Sequence, residues 1–154
     1  MMSIEISKTA TRDGSPASTS GVVSGAAAIL YAAWFGFLAR VVFTFMFWSS
    51  GLAKLIDFNT GLAEMSRFGL EPAWLFYFVT VVILLSGSLL IILDRWTWLG
   101  AGVLAVFTIL TIPIAHHFWT MEEPLRTMEF HVAMEHITVV GALMTVTYAS
   151  GRRN

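Results

Sequence analysis

The sequence predicts an all-α membrane protein, a bundle of four transmembrane helices with a short interfacial helix between the first and second. Three observations predict it. Of the 154 residues, 56% are hydrophobic and only 12% charged, where a soluble domain carries about 25% charged residues. Half that share cannot cover a surface that faces water. Four apolar segments reach or approach the roughly 20 residues that a helix needs to cross a hydrocarbon core. Backbone groups in lipid must be satisfied within their own segment, so these segments are helical. The net charge of −1 gives no electrostatic case for nucleic acid. The absence of cysteine removes disulfides, thiolate chemistry, iron–sulfur clusters and covalently attached c-type haem.

Residues 1–20 are polar and rich in Ser and Thr, with Lys8 and Arg12 balancing Glu5 and Asp13. They read as a disordered tail. The apolar stretch behind them is too long for a cleaved signal peptide and reads as an uncleaved signal-anchor. A single membrane domain spans residues 21–150, and residues 151–154 form a basic C-terminal tail. The first crossing lies within residues 21–53, interrupted only by Arg40. In "KLIDFNTGLAEMSRFGLEP", Leu55, Phe58, Leu62 and Met65 recur at three- and four-residue spacing, and Gly69 and Pro72 stop the pattern. That is the interfacial helix. The second crossing is residues 73–93, uncharged throughout, and the third is residues 98–118. The link "DRWT" is short enough to make these two antiparallel neighbours. The fourth, residues 131–150, carries Glu135 and His136. Small residues four apart, such as Ala101 and Ala105 or Gly141 and Thr145, permit close helix contact. Lys8, Arg12, Arg95, Arg152 and Arg153 fall on the side of the termini, and Lys54, Arg67 and Arg126 on the other. The excess puts both termini in the cytoplasm.

Charged groups inside membrane helices are costly, which makes them functional candidates. Arg40 lies fourteen residues from Lys54, about 21 Å along a helix, so it stands near the inner face. A direct pair with Glu135 does not fit that depth. Arg40 reads as a structural charge that reaches for headgroups. The outer ends gather more. Helix 1 delivers Trp48 and Lys54, helix 3 delivers His116, His117 and Trp119, and helix 4 delivers His131 and Glu135, which share a face, with His136 turned away. His116 and His117 are splayed, so one marks the membrane boundary and the other joins a polar cluster with Glu135 and Lys54. Pro113 loosens the helix just before them.

Histidine and tryptophan are both at home at the membrane interface, so a structural role for the whole set is the plain alternative. The ligand types would suit a metal, but the spacing matches no strong metal motif. A b-type haem needs axial histidines deeper than one surface. No cofactor is evident from a motif. The small molecule that suits these groups is a quinone, which needs a lipid-accessible cleft, aromatic walls, a hydrogen-bond donor and a proton-exchanging group near water.

The stretch "LARVVFTFMFWSSGLAKLIDF" resembles the opening signature of the DoxX family, an arginine followed by apolar residues and then S-G-x-x-K-L. "FGLEPAW", "SGSLLII" and "DRWTWLGAGVLAVFTILTIPIAHHFW" follow in the family's order, and the likeness covers roughly residues 38–149. Arg40, Gly51, Lys54, Gly87, Arg95, His117 and Trp119 fall on its recurring positions. The resemblance implies a four-helix protein of the bacterial cytoplasmic membrane; relatives include a subunit of a thiosulfate:quinone oxidoreductase and a membrane component of an oxidant-defence complex. Two positions depart from the pattern. Ile83 stands where a glutamate is common, and Glu135 and His136 stand where asparagine and lysine are frequent. Either an acidic group has moved from helix 2 to helix 4, or the helix 2 chemistry is absent. The expected role is a membrane subunit of an oxidoreductase system, exchanging electrons with the quinone pool through a partner subunit. The rival expectation is a non-catalytic anchor or assembly subunit of a larger membrane complex; a small-solute transporter ranks last, for want of an internal repeat.

Overall fold

A computed structural model describes residues 17–152, with side chains from Ser24 onward. The described residues form helices and turns, with no strand. They divide into two units, one ending at Gly36 and one beginning at Phe37. The expected polar tail lies outside the described residues up to position 16, and its last four residues fall in the first turn of α1 (Ala17–Leu30). Of the expected basic tail, residues 153 and 154 lie outside them as well.

The first apolar stretch, expected as one helix, is three: α1, α2 (Ala33–Phe43) and α3 (Phe45–Ile56). The chain breaks at Tyr31–Ala32 and again at Thr44. The second break has a local cause. The Thr44 hydroxyl donates to the Arg40 carbonyl at 2.7 Å, and the Trp48 indole N–H donates to the Val41 carbonyl at 3.1 Å. Side chains thus take carbonyls near the break, and the helix can kink without stranding them in an apolar setting. Asp57 then caps α4 (Phe58–Arg67), accepting from the Thr60 amide at 3.0 Å and from its hydroxyl at 2.7 Å.

Among the described residues three helices are long and apolar enough to cross a membrane: α5 (Ala73–Ile92), α6 (Thr97–Ala115, prolonged by a 3₁₀ turn to Thr120) and α7 (Leu125–Gly151). A bent pair, α1 with α2, raises the number to as many as four. The lipid-facing character is plain from the exposed side chains of these helices, which include Phe78, Val82, Val106, Ile109 and Ile137. Exposed aromatic and basic groups collect near both ends. Trp96, Trp98 and Tyr148 sit at one, with Arg152 5.3 Å over the Tyr148 ring, and Trp74 and Trp119 at the other. The protein is a multi-pass membrane protein.

Within the second unit, α3 lies against α5, α5 against α6, and α6 against α7. Phe47, Leu84, Ile91, Ala101, Leu104 and Leu143 form the core. The α5–α6 contact is a close one because it uses two glycines. A Cβ on Gly100 would stand 2.7 Å from the Gly87 carbonyl oxygen, and one on Gly87 would stand 2.7 Å from Leu104 Cγ. Buried hydroxyls of Ser88 and Thr108 donate to the carbonyls of Leu84 and Leu104 at 2.7 Å. Among the described residues no buried side-chain polar atom lacks a partner.

Candidate functional site

One end of the second unit is a latch. Asp94 and Trp96, in the α5–α6 turn, both have φ of +53°, a conformation that Asp tolerates and a bulky residue rarely adopts. Arg40 holds the turn, with Nε donating to the Ile92 carbonyl at 3.2 Å and a terminal nitrogen 3.4 Å from Asp94 Oδ2. The other Asp94 oxygen accepts from Thr97 at 3.0 Å and Ser150 at 3.1 Å. Arg40 therefore ties α2 to the α5–α6 turn and, through Asp94, to the end of α7.

The opposite end carries two ion pairs and a histidine stack. The α3–α4 turn at Asp57 folds Glu64 back onto Lys54, whose Nζ lies 2.6 Å from Glu64 Oε2. Gly61 leaves room for the Tyr77 ring, whose hydroxyl donates to the Lys54 carbonyl at 2.8 Å. On the other side, α6 ends at Ala115, two residues after Pro113. Proline has removed one backbone donor there, and the chain turns at His116 and His117. His116 Nδ1 lies 2.6 Å from Glu129 Oε2, with both side chains mostly covered. The His116 and His136 rings are 4.7 Å apart, and His136 Nδ1 donates to the Val132 carbonyl at 2.8 Å. An ionised carboxylate only accepts, so His116 Nδ1 carries a hydrogen toward Glu129.

Between these groups opens a cavity of about 730 Å³, within the range of small-molecule sites, roughly 300–1,000 Å³. Lys54, Glu64, His116 and His136 all contribute to its wall. From there it follows α5 and α6 to Trp98, and the eighteen residues from Trp98 to His116 make it about 27 Å long on helix geometry. Val79, Val106 and Leu110 are among the apolar side chains along it. Ile83, at the position where the resemblance suggests a glutamate, is part of that apolar wall. Gly102 also lines it, and a Cβ there would meet nothing within 4 Å. The arrangement suits a molecule with a polar head and a long apolar tail.

Of the residues singled out from the sequence, Lys54 and His116 stand on this cavity. Trp48 is occupied in the α2–α3 break. His117 lies 6.4 Å from the Trp119 ring, and Trp119 is exposed. His131 donates to the Thr127 carbonyl at 2.7 Å on an exposed stretch of α7. Glu135 is exposed and outside the cavity wall. Glu64, Glu129 and His136 were not among the selected site residues. Glu129 and His136 are seven apart on one helix, two turns on the same face. That spacing is a usable signal only once α7 is known to begin at Leu125 rather than at His131. Among the described residues no three His, Asp or Glu side chains gather closely enough to hold a metal ion.

A sequence model of the DoxX family matches residues 35–117, more than half of the chain. Comparison with curated proteins and with solved structures finds no match.

Proposed function

The chain belongs to the DoxX family, and from that premise we propose that it is the membrane subunit of an oxidoreductase system whose long cavity receives a quinone from the bilayer. The observation that carries this reading is the cavity itself, apolar along α5 and α6 and ending at Lys54, Glu64, His116 and His136. Charge balance separates a quinone from a phospholipid. Lys54 is matched by Glu64 and His116 by Glu129, so no net positive charge is left to bind a phosphate head. A neutral head with carbonyl or hydroxyl oxygens fits the imidazole nitrogens and the ammonium hydrogens better. A bound quinone supplies reversible two-electron, two-proton chemistry, with a partner protein as the other redox party. The residues of this chain orient the head, keep water out along the apolar wall and exchange protons at the imidazoles.

The same proposal carries a topology. Residues 37–56 run antiparallel to α5, with the Arg40 side chain reaching Ile92 and Lys54 at Tyr77, and they serve as the first of four crossings. Crossings two to four are α5, α6 and α7, and α4 lies at the interface on its apolar side. The Lys and Arg distribution supports both termini in the cytoplasm of a bacterial inner membrane.

The test is quinone binding by the purified chain in lipid nanodiscs, followed by quenching of tryptophan fluorescence with ubiquinone-2. Gly102→Leu fills the cavity where there is free space and leaves the backbone undisturbed. The expected result is binding by the wild type and at least tenfold weaker binding by Gly102→Leu. Equal affinity for both, or none for the wild type, overturns the quinone reading.

A second reading, that the chain anchors or assembles a larger complex, is favoured by one observation. Ile137, Met144 and Tyr148 are exposed along one face of α7 and Glu135 is exposed on another, and a carboxylate facing lipid is costly. Retention of a stable partner subunit by a Gly102→Leu chain that no longer binds quinone supports the anchor role alongside the other.

A further inference from the structure

We infer that His116 and Glu129 form a proton-exchange couple through which the cavity distinguishes the carbonyl form of its ligand from the hydroxyl form. The inference rests on the quinone reading above and names how that site responds to proton supply. It starts from the 2.6 Å contact between His116 Nδ1 and Glu129 Oε2. The carboxylate fixes one hydrogen on Nδ1 whatever the charge of the ring. The remaining nitrogen, Nε2, then decides what the ring can recognise. In the neutral ring Nε2 is a lone pair and accepts from a hydroxyl head. In the protonated ring Nε2–H donates to a carbonyl head, and the positive charge is matched by Glu129.

The neighbouring charged groups do not blur this switch. Lys54, from α3, is held by Glu64, from α4, at 2.6 Å, and both keep their own partner in either state. His136, from α7, uses its Nδ1 hydrogen on the Val132 carbonyl at 2.8 Å, and its ring lies 4.7 Å from that of His116. Glu129 itself does not reach the cavity wall, so it acts through His116 as a positioning residue. Its side chain is partly open to solvent, which gives protons a way to the ring other than through the ligand.

The experiment measures equilibrium binding of ubiquinone-2 and ubiquinol-2 to the full chain in nanodiscs, from about pH 5.5 to about pH 8.5, the span over which histidine changes charge. In the wild type the oxidised form binds more tightly at the acid end and the reduced form at the alkaline end. The ratio of the two dissociation constants moves at least fivefold across the range. Glu129→Leu and His116→Ala flatten the ratio, Glu129→Asp restores part of the movement, and His131→Gln, on the exposed stretch of α7 outside the cavity, keeps it. Solution-state imidazole ¹⁵N shifts follow the His116 ring directly, and Glu129→Leu releases its Nδ1–H tautomer. If wild type and Glu129→Leu bind both forms with the same pH dependence, the couple is wrong and the quinone site stands. If the wild type binds neither form, the quinone site falls, and the couple with it.

Discussion

Gly100 and Gly102 lie on nearly opposite faces of α6 and demand opposite things of a substitution. Gly100 meets the α5 backbone, where a new Cβ would lie 2.7 Å from a carbonyl oxygen that has nowhere to go. Gly100→Ala therefore lowers stability by about 1–3 kcal/mol, the usual size of an overpacking penalty, read as an earlier thermal or SDS-induced unfolding transition. Gly102→Leu faces open space and unfolds no earlier than the wild type. The Tyr77 hydroxyl makes a subtler contribution, because its hydrogen bond to the Lys54 carbonyl joins α5 to the end of α3. Tyr77→Phe leaves the ring in place and costs roughly 0.5–1.5 kcal/mol by the same assay, the net value of one such bond. A null effect would mean that the ring alone holds α3 there.

At the scale of the element, α4 depends on its first residue's neighbour. The Thr60 amide and hydroxyl hydrogen bonds hold the Asp57 carboxyl below its ordinary value of 3.8. A carboxyl with a depressed folded value stabilises above the unfolded value and loses that contribution as pH falls through the folded one. The cap is thus intact at neutral pH and fails only in acid below 3.8. The Thr60 amide NMR shift follows that titration in the wild type. It stays flat in Asp57→Asn, which keeps a capping oxygen and cannot titrate. A shift that titrates equally in the variant would remove Asp57 as the cap. Because α4 carries Glu64 to Lys54, loss of the cap reaches the polar end of the cavity as well.

At the scale of the molecule, the two ends of the second unit are held by different chemistry, and the cavity lies between them. The Arg40 end is a network on Asp94. Arg40→Met removes the guanidinium from the network on a partly buried carboxylate, costing about 1–3 kcal/mol. Arg40→Met with Asp94→Asn costs less than the sum of the single changes, since the two act on one interaction. Simple additivity in unfolding measurements would show that the pair is not coupled. The proposed topology is tested independently, and the cysteine-free sequence makes the test clean. Single cysteines at Ser3 and Arg152 react with an impermeant maleimide from the cytoplasmic face, and one at Glu122 reacts from the other. Labelling of positions 3 and 152 from opposite faces would refute the four-pass order.

Composition and apolar run length were enough to settle that this chain is helical and lives in lipid, because those properties are sums over many residues and forgive local error. They also marked Lys54 and His116, since charged and titratable groups at the ends of apolar segments stand out in one dimension. The kink at Thr44 was not legible, because it depends on which carbonyls the Trp48 indole and the Thr44 hydroxyl reach in space. Nor were the roles of Glu64 and Glu129. Glu64 lies in the expected interfacial helix and Glu129 between the expected third and fourth crossings, and the turn at Asp57 and the early start of α7 at Leu125 bring each beside a partner. Pairing is a property of distance between elements, and only the packed helices decide that distance.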